Sequence, residues 1–231
     1  MFNKKNKLVL TANSPSDGLV ELFPLVKGRL PNFFKNLKKN DLQKETNNNV
    51  RVCPGLTDLY STAISIPAWQ DIKIKIGPQG MDVEAPQMRW SASSHDLNSQ
   101  APGAWPGYVN IKLESPWILQ CNKDVKWTMI QPVWDQQIPH EQIVVPGVLE
   151  FKYQNQANIN LIFPVHNIEK EYIIKAGEII AMLIPNFDIE YNLVCQYINQ
   201  SEVDRILNSR WIFSNGPIYS RLRSILRNKN K

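Results

Sequence analysis

The amino-acid sequence predicts a mostly β fold: an antiparallel, jelly-roll-like β-sandwich with a short N-terminal helical segment and a C-terminal helical tail. The first indication is the alternation of apolar and polar residues with a period of two, as in residues 71–76, which is typical of half-buried strands. The second is the short spacing of turn residues between such segments, which indicates a sandwich or barrel. The third is a change to helical spacing after residue 199.

The segment between residues 143 and 185 has the strongest strand signal. Its first strand alternates, which places Val148, Glu150 and Lys152 on one face and Leu149, Phe151 and Tyr153 on the other. Its second strand is nearly all apolar, so we expect it to be covered on both faces. Gly177 is expected to turn the chain before the last strand, because glycine adopts positive φ without steric cost. The strands predicted here are 148–153, 159–163, 172–174 and 178–184.

The remaining elements follow from the same patterns. Helical turns are predicted over residues 28–39, where Pro31 stands early enough for its missing N–H to be harmless. Residues 14–18 are predicted to form a turn, and residues 41–49 a linker. Further strands are predicted at residues 6–12, 62–66, 71–76, 81–85, 87–92, 109–113, 117–121, 125–131 and 193–198.

The last part of the chain is predicted to be helical. Ser201 is expected to cap the first helix, and Val203, Ile206 and Leu207 follow at helical spacing. A last helix is expected to begin at Pro217. The chain therefore divides into residues 1–50 (basic strand, helix and linker), 51–198 (β-sandwich domain) and 199–231 (basic helices).

Composition indicates an ordinary globular protein. The chain has 231 residues, of which 43% are hydrophobic and 20% charged. Cys53, Cys121 and Cys195 lie far apart without C-x-x-C spacing, so we expect small buried side chains rather than a metal site or disulfides. No signal peptide is predicted, and no apolar run is long enough to predict a membrane span. No metal and no cofactor are predicted.

Charge is distributed unevenly along the chain. Residues 1–50 carry nine basic and four acidic side chains, residues 199–231 carry seven and two, and the middle carries ten and fifteen. This asymmetry suggests that the ends face a negatively charged partner, although two solvated ends would give the same pattern. The basic candidates are Arg221, Arg223, Arg227 and Lys229. Nucleic acid is the weaker candidate partner, and such binding would decrease steeply with salt.

Two irregular segments contain the other candidate residues, because loops on a β scaffold commonly carry binding sites. Trp105, in the loop 93–107, is either an exposed aromatic anchor or a plug for the end of the sandwich. Trp134 and His140 lie in the loop 132–142. His166, at a break between strands, completes the set of candidates for a pocket or an interface.

Patterns for catalysis are weak. His95 and His140 are each followed directly by a carboxylate residue, and adjacent strand residues point to opposite faces, so neither pair fits a metal-binding His-x-Asp/Glu pattern. No nucleophile elbow and no glycine-rich phosphate loop is present. The turn and strand over residues 175–182 resemble a segment of trimeric dUTPase-like barrels and of cupins. A non-enzymatic function is therefore favoured, with a cupin- or dUTPase-like enzyme or binding barrel as the alternative.

Several segments together resemble one family of proteins. The matching segments are residues 30–35, 53–58, 66–72, 115–118 and 174–185, and they occur in the same order as in that family. The basic helical tail follows them. The family is an uncharacterised one from large tailed bacteriophages of the myovirus type, including marine ones. Where the family has Cys-Pro-Pro, this chain has Cys53-Pro54-Gly55. The family has no established active site, so no catalytic residue is carried over.

This resemblance implies a bacteriophage protein. Together with the charge pattern and the tryptophan-rich β segments, it predicts a non-enzymatic virion-associated or assembly protein, such as an accessory component of head, neck or tail. The expected partners are other phage structural proteins or further copies of the chain in a homo-oligomer. The expected location is the virion or the host cytoplasm.

Overall fold

The fold is mostly β, as predicted, with 46% strand and 17% helix in the computed structural model. The structure describes residues 8–37, 50, 53–85, 92–95, 97, 101–135, 141–152, 154–188 and 190–214. The strands are β1 (Leu8–Ser14), β2 (Val26–Lys27), β3 (Ile64–Pro67), β4 (Ile72–Gly77), β5 (Gly80–Glu84), β6 (Ala92–His95), β7 (Tyr108–Cys121), β8 (Trp127–Ile130), β9 (Ile143–Val144), β10 (Gly147–Leu149), β11 (Gln156–Pro164), β12 (Lys170–Ile174), β13 (Ile179–Pro185) and β14 (Tyr191–Tyr197). The helices are α1 (Asp17–Leu22), α2 (Asn32–Asn36), α3 (Pro54–Thr62) and α4 (Gln200–Ser214).

The largest sheet has six strands in the order β14-β1-β7-β11-β9, with β6 also paired to β7. β1 belongs to the segment 1–50, yet it lies inside this sheet, parallel to β14 and antiparallel to β7. The first strand of the chain is thus hydrogen-bonded to the last one, with Leu8 opposite Tyr191.

β7 is one strand of 14 residues, so the prediction of two separate strands at 109–113 and 117–121 was wrong. The pairing with β11 shifts register between Asn158 and Gln156, opposite the Ser115–Pro116 step. Such a bulge accommodates Pro116, which has no N–H to donate to a ladder. The Ser115 hydroxyl accepts the Trp117 N–H at 3.3 Å, so the strand continues beyond the proline.

The other two sheets are connected end to end. Five strands follow the order β10-β8-β13-β3-β2, and three follow β12-β4-β5. Between them, the Ala68 N–H donates to Glu178 O at 2.7 Å, and the Gly177 N–H donates to Ala68 O at 2.8 Å. Gly177 has a φ of +85°, which confirms the predicted turn. The alternation predicted for residues 71–76 is also confirmed, because Ile72, Ile74 and Ile76 are buried.

One apolar core joins the three sheets. It includes the fully buried side chains of Trp117, Trp127, Phe151 and Phe163. Large aromatic side chains each bury about 150–250 Å², so these four contribute a large part of the apolar area removed from water. In a separate cluster, Val203 and Ile206 of α4 pack against Ile118 of the six-stranded sheet.

Three local predictions were wrong for identifiable reasons. Residues 14–18 were predicted to form a turn, but Ser16 accepts the Leu19 N–H and begins α1. Ser201 is not the cap of α4, since the Asn199 side chain accepts the Glu202 N–H at 2.9 Å. The strand predicted at 148–153 ends at Leu149, and beyond it Glu150 and Phe151 are both buried.

Three further predictions fall mainly on residues outside the described ranges: the linker 41–49, the strand 87–92 and the last helix from Pro217.

A ladder of side-chain amides crosses the six-stranded sheet at its β14-β1-β7 end. The Asn13 amide nitrogen donates to Ile118 O at 3.2 Å and to Gln120 Oε1 at 3.1 Å. The Asn13 amide oxygen accepts from Gln196 Nε2 at 2.9 Å. Asn13 is only 2% exposed, so these bonds satisfy a polar side chain that water does not reach.

Replacing Asn13 with alanine is expected to lower the free energy of unfolding by about 1–3 kcal/mol, because buried partners lose their hydrogen bonds. Urea unfolding measures the change. Thr11→Ala, two residues away on the same strand, is the control and should cost clearly less. Equal losses in the two variants would contradict a stabilising role for the amide ladder.

Candidate interaction surface

Two loops meet at one end of the six-stranded sheet. β7 begins and β11 ends there, with Tyr108 opposite Pro164. The Val165 N–H donates to Gly107 O at 2.8 Å, which places the loop 101–107 beside the loop 165–169. Two of the candidate residues, Trp105 and His166, therefore lie on adjoining loops. We call the surface formed by these loops and by Glu141, Lys170 and Tyr172 the rim surface.

Trp105 is held in an unusual backbone conformation. Its φ is 54°, in the left-handed region that costs a bulky residue of order 1–3 kcal/mol. Glycines at positions 103 and 107 also have positive φ, so the loop is tightly turned on both sides. The indole packs edge-on against the Tyr108 ring, with 5.4 Å between centroids. It is 44% exposed, so it is not buried as a plug of the β fold would be.

His166 belongs to a polar cluster centred on Glu141. The Tyr172 hydroxyl donates to Glu141 Oε2 at 2.7 Å, and Lys170 Nζ donates to Oε1 at 2.5 Å. His166 Nε2 lies 2.9 Å from both Glu141 Oε2 and the Tyr172 oxygen.

Electrostatics keep the Glu141 carboxylate ionised. The Lys170 hydrogen bond, followed by that of Tyr172, lowers the pKa of Glu141 to about 2. Burial and the neighbouring Glu141 charge raise the pKa of Tyr172 above its ordinary value. A carboxylate with so low a pKa is a weak base at neutral pH, since general bases work best with a pKa near the working pH. The cluster is better suited to fixing the loop and presenting charge than to moving protons.

Apolar side chains accompany this polar cluster. Val165 is 38% exposed and Ile168 81% exposed on the same loop as His166. The loop is held close to the end of β4, where a Cβ atom on Gly77 would lie 3.1 Å from Glu169 Cα. Glycine at position 77 thus permits this close approach. The rim surface combines exposed aromatic and aliphatic groups with a fixed set of charges.

Trp134 lies elsewhere in the fold. Its ring packs on Phe33 of α2 at 5.4 Å between centroids. Next to it, Asp135 forms an ion pair with Arg29 at 3.4 Å. Burial, and then the Asp135 charge, raise the pKa of Tyr60, which lies in the same small cluster. Trp134 therefore connects its loop to α2 and is not grouped with the other candidates.

The remaining candidates cannot be placed: His140, Arg221, Arg223, Arg227 and Lys229 lie outside the described residues. Sequence reasoning missed Lys170 and Tyr172, and it noted Glu141 only as the neighbour of His140. Glu141 is 25 residues from His166 and 31 from Tyr172 along the chain. Residues so far apart along the chain give no recognisable spacing pattern in the sequence.

No protein-family model matches the chain, and no curated protein matches it. The fold defines the class, a mostly β protein of three sheets rich in antiparallel pairs. Among the described residues, no group of three or more histidine, cysteine, aspartate or glutamate side chains is arranged to hold a metal ion. None of the described helices has the length and apolar character needed to cross a membrane.

The Glu141→Gln substitution is expected to change how the stability of the fold depends on pH. A carboxyl group whose folded pKa lies below its ordinary value of 4.5 stabilises the fold above pH 4.5, and this contribution disappears as the pH falls towards 2. The variant should therefore lose less stability than the parent between pH 4.5 and pH 2. Thermal unfolding across this range measures it, with the exposed Asp58→Asn on α3 as control. Parallel curves for Glu141→Gln and the parent would contradict the assignment.

Proposed function

We propose that the protein is a non-enzymatic, virion-associated or assembly component of a bacteriophage that acts through protein–protein contacts. Its partners are other phage structural proteins or further copies of the chain, in the virion or the host cytoplasm. It needs no cofactor for this role. The scaffold is a jelly-roll-like β-sandwich, and two features favour that arrangement. The six- and five-stranded sheets share one core, and the chain passes from β9 in one sheet directly to β10 in the other.

The observation that carries the proposal is the exposed Trp105 in its strained turn. Tryptophan is enriched among the residues that dominate binding energy at protein interfaces. Backbone strain of this kind persists where the surrounding structure enforces it, and it is concentrated at functional sites. Val165 and Ile168 extend the apolar area on the adjoining loop. The charges of Glu141 and Lys170 at its border supply groups that orient a partner.

The basic residues Arg221, Arg223, Arg227 and Lys229 belong to the proposal as a second contact surface, for an acidic protein partner. Their support is the charge pattern of the sequence, in which both ends are basic and the middle is acidic.

The alternative is a small-molecule enzyme or binding barrel of cupin or dUTPase type. The polar cluster of Glu141, His166, Lys170 and Tyr172 favours it, because such groups can orient a polar ligand. Against it, Glu141 and His166 are 42% and 32% exposed, respectively, rather than directed into an apolar pocket. Metal analysis and a ligand screen of the recombinant protein test this alternative.

The protein is expected in purified phage particles at a fixed copy number that is a multiple of a symmetry order. Quantitative mass spectrometry of the particles measures this number. Absence from particles, together with abundance in infected cells, would contradict the structural function.

Trp105→Ala is expected to weaken incorporation into particles. The loss of an aromatic anchor is expected to reduce the binding free energy by about 2 kcal/mol. This corresponds to an affinity about 30-fold weaker, measured with particles that were assembled without the protein. Trp134→Ala is the matched control, because Trp134 is exposed to a similar extent but packs on α2. Thermal unfolding of both variants separates binding from folding. Equal incorporation of Trp105→Ala and the parent would show that the rim surface is not the interface.

A further inference from the structure

The outer edge of β14 carries backbone groups that no described strand pairs with. The Ile198 N–H donates to Ser14 O at 2.9 Å, so residue 198 and the even-numbered residues of β14 direct their backbone groups towards β1. The odd-numbered residues, such as Leu193 and Cys195, therefore direct theirs away from the sheet. Within the described residues, β14 pairs with β1 alone. A row of unpaired N–H and C=O groups is a template for a strand of another chain.

Lys27 contacts the beginning of this edge. Its Nζ donates to Tyr191 O at 2.7 Å, which agrees with the outward direction of the odd-numbered residues. A carbonyl oxygen has two lone pairs, so Tyr191 O retains a site for a second donor. An open space of about 630 Å³ lies between residues 24–27 and residues 190–195. The segment that contains Lys27 therefore does not fill the space beside β14.

β14 differs from the other edge strands that the structure describes. β2 and β9 have two residues each, β10 has three and β6 has four, so they offer little length for pairing. β5 and β12 are longer, but β5 contains Asp82 and Glu84, and β12 contains Lys170 and Glu171. Short length and charged side chains are features that keep sheet edges from pairing with other chains. β14 has neither, because it has seven residues and no charge.

The side chains of β14 allow it to lie opposite a copy of itself. No charged residue and no proline stands between Glu190 and Glu202 in the sequence. Antiparallel pairing about a two-fold axis brings the same surface together twice, so a charged strand would place like charges close to each other. Val194 and Tyr197 are 40% and 50% exposed, so apolar area remains to be covered along this strand.

A two-fold axis at Val194 matches the strand to its copy over all seven residues, since Val194 is the middle residue of β14. Val194 then faces Val194 of the second copy in a pair without backbone hydrogen bonds, where side chains approach most closely. Asn192 faces Gln196 of the second copy. Gln196 Nε2 already donates to Asn13 Oδ1 at 2.9 Å, so the Gln196 amide oxygen is the group that accepts from Asn192.

We propose that two copies of the chain associate through β14, antiparallel about a two-fold axis at Val194. The two six-stranded sheets then become one continuous sheet. Leu193 of each copy exchanges backbone hydrogen bonds with Cys195 of the other, because both residues direct their N–H and C=O groups outwards. The proposal specifies which surface joins further copies of the chain, and in that respect it rests on the proposed function. It uses no residue of the rim surface.

Sedimentation equilibrium of the full chain measures this association. Seven residues on each side are fewer than the roughly 20–30 of a standard interface, so we expect a reversible dimer with a dissociation constant of the order of 10 μM. Between about 1 and 300 μM protein, the average mass should rise from that of the monomer towards that of the dimer. The dissociation constant should change by less than about twofold between low salt and about 1 M salt, because the paired strands carry no charge.

Charged variants at the two-fold axis locate the interface. Val194→Lys and Val194→Glu should each weaken association by about tenfold or more, because like charges then face each other. An equal mixture of the two variants should recover association at low salt, since opposite charges then meet at the axis. Val148→Lys is the matched control, because Val148 is also an exposed valine on an edge strand, and this variant should associate as the parent does. Thermal unfolding checks that all three variants fold.

Four outcomes would overturn the proposal: a monomeric parent at every concentration, unchanged association in Val194→Lys, no recovery in the mixture, or an equal loss in Val148→Lys or Trp105→Ala. A monomeric parent would leave the edge to a strand of another protein, and this measurement decides the question even where a variant fails to fold. Failure here leaves the copy number in particles as the test of the proposed function. Absence of the protein from particles would, in turn, leave the dimer measurements unaffected.

Discussion

The bulge at Ser115–Pro116 is the constraint on which the arrangement of the six-stranded sheet depends. β7 pairs with β11 along one edge, while β6 and β1 share the other edge on either side of the bulge. Pro116 cannot donate to a ladder, and the Ser115 hydroxyl satisfies the following N–H instead. The strand therefore continues far enough for β1 to pair beyond it, and β14 in turn pairs with β1. Without that continuation, β1 would not pair with β7 and the amide ladder would not form.

The same strand places the rim surface at its other end. Tyr108 opposes Pro164 where β7 begins, and the two loops leave the sheet side by side. The polar contacts of Glu141 add only part of the stability that their geometry suggests, because exposed ion pairs are screened by solvent and lose side-chain entropy. Their effect is to fix the loop 165–169, which carries Ile168. A rigid loop loses less entropy when a partner binds, so in the proposed function the cluster would favour binding through pre-organisation.

Local patterns predicted those parts of the fold that local physics determines. The alternation in β4 and the turn at Gly177 were readable because side-chain direction and positive φ are local properties. The helix α3 was missed, since Pro54-Gly55 is typical of a turn, although proline also suits the first helical position. The candidate surface was only partly predictable. Residue type singled out His166 and Trp105, whereas Glu141 and Tyr172 join them only through strand pairing.

Charge shows most clearly why position in the fold matters more than position in the chain. Residues 1–50 carry an excess of basic side chains, which predicts a negatively charged partner for this part. Folding distributes the two signs locally, because the exposed Asp17 and Glu21 lie on α1, whereas Lys27 is bonded to Tyr191 O. Charges interact over about 8–10 Å at ordinary salt, so a contact with one part of this segment depends on the charges nearby rather than on the average of the segment.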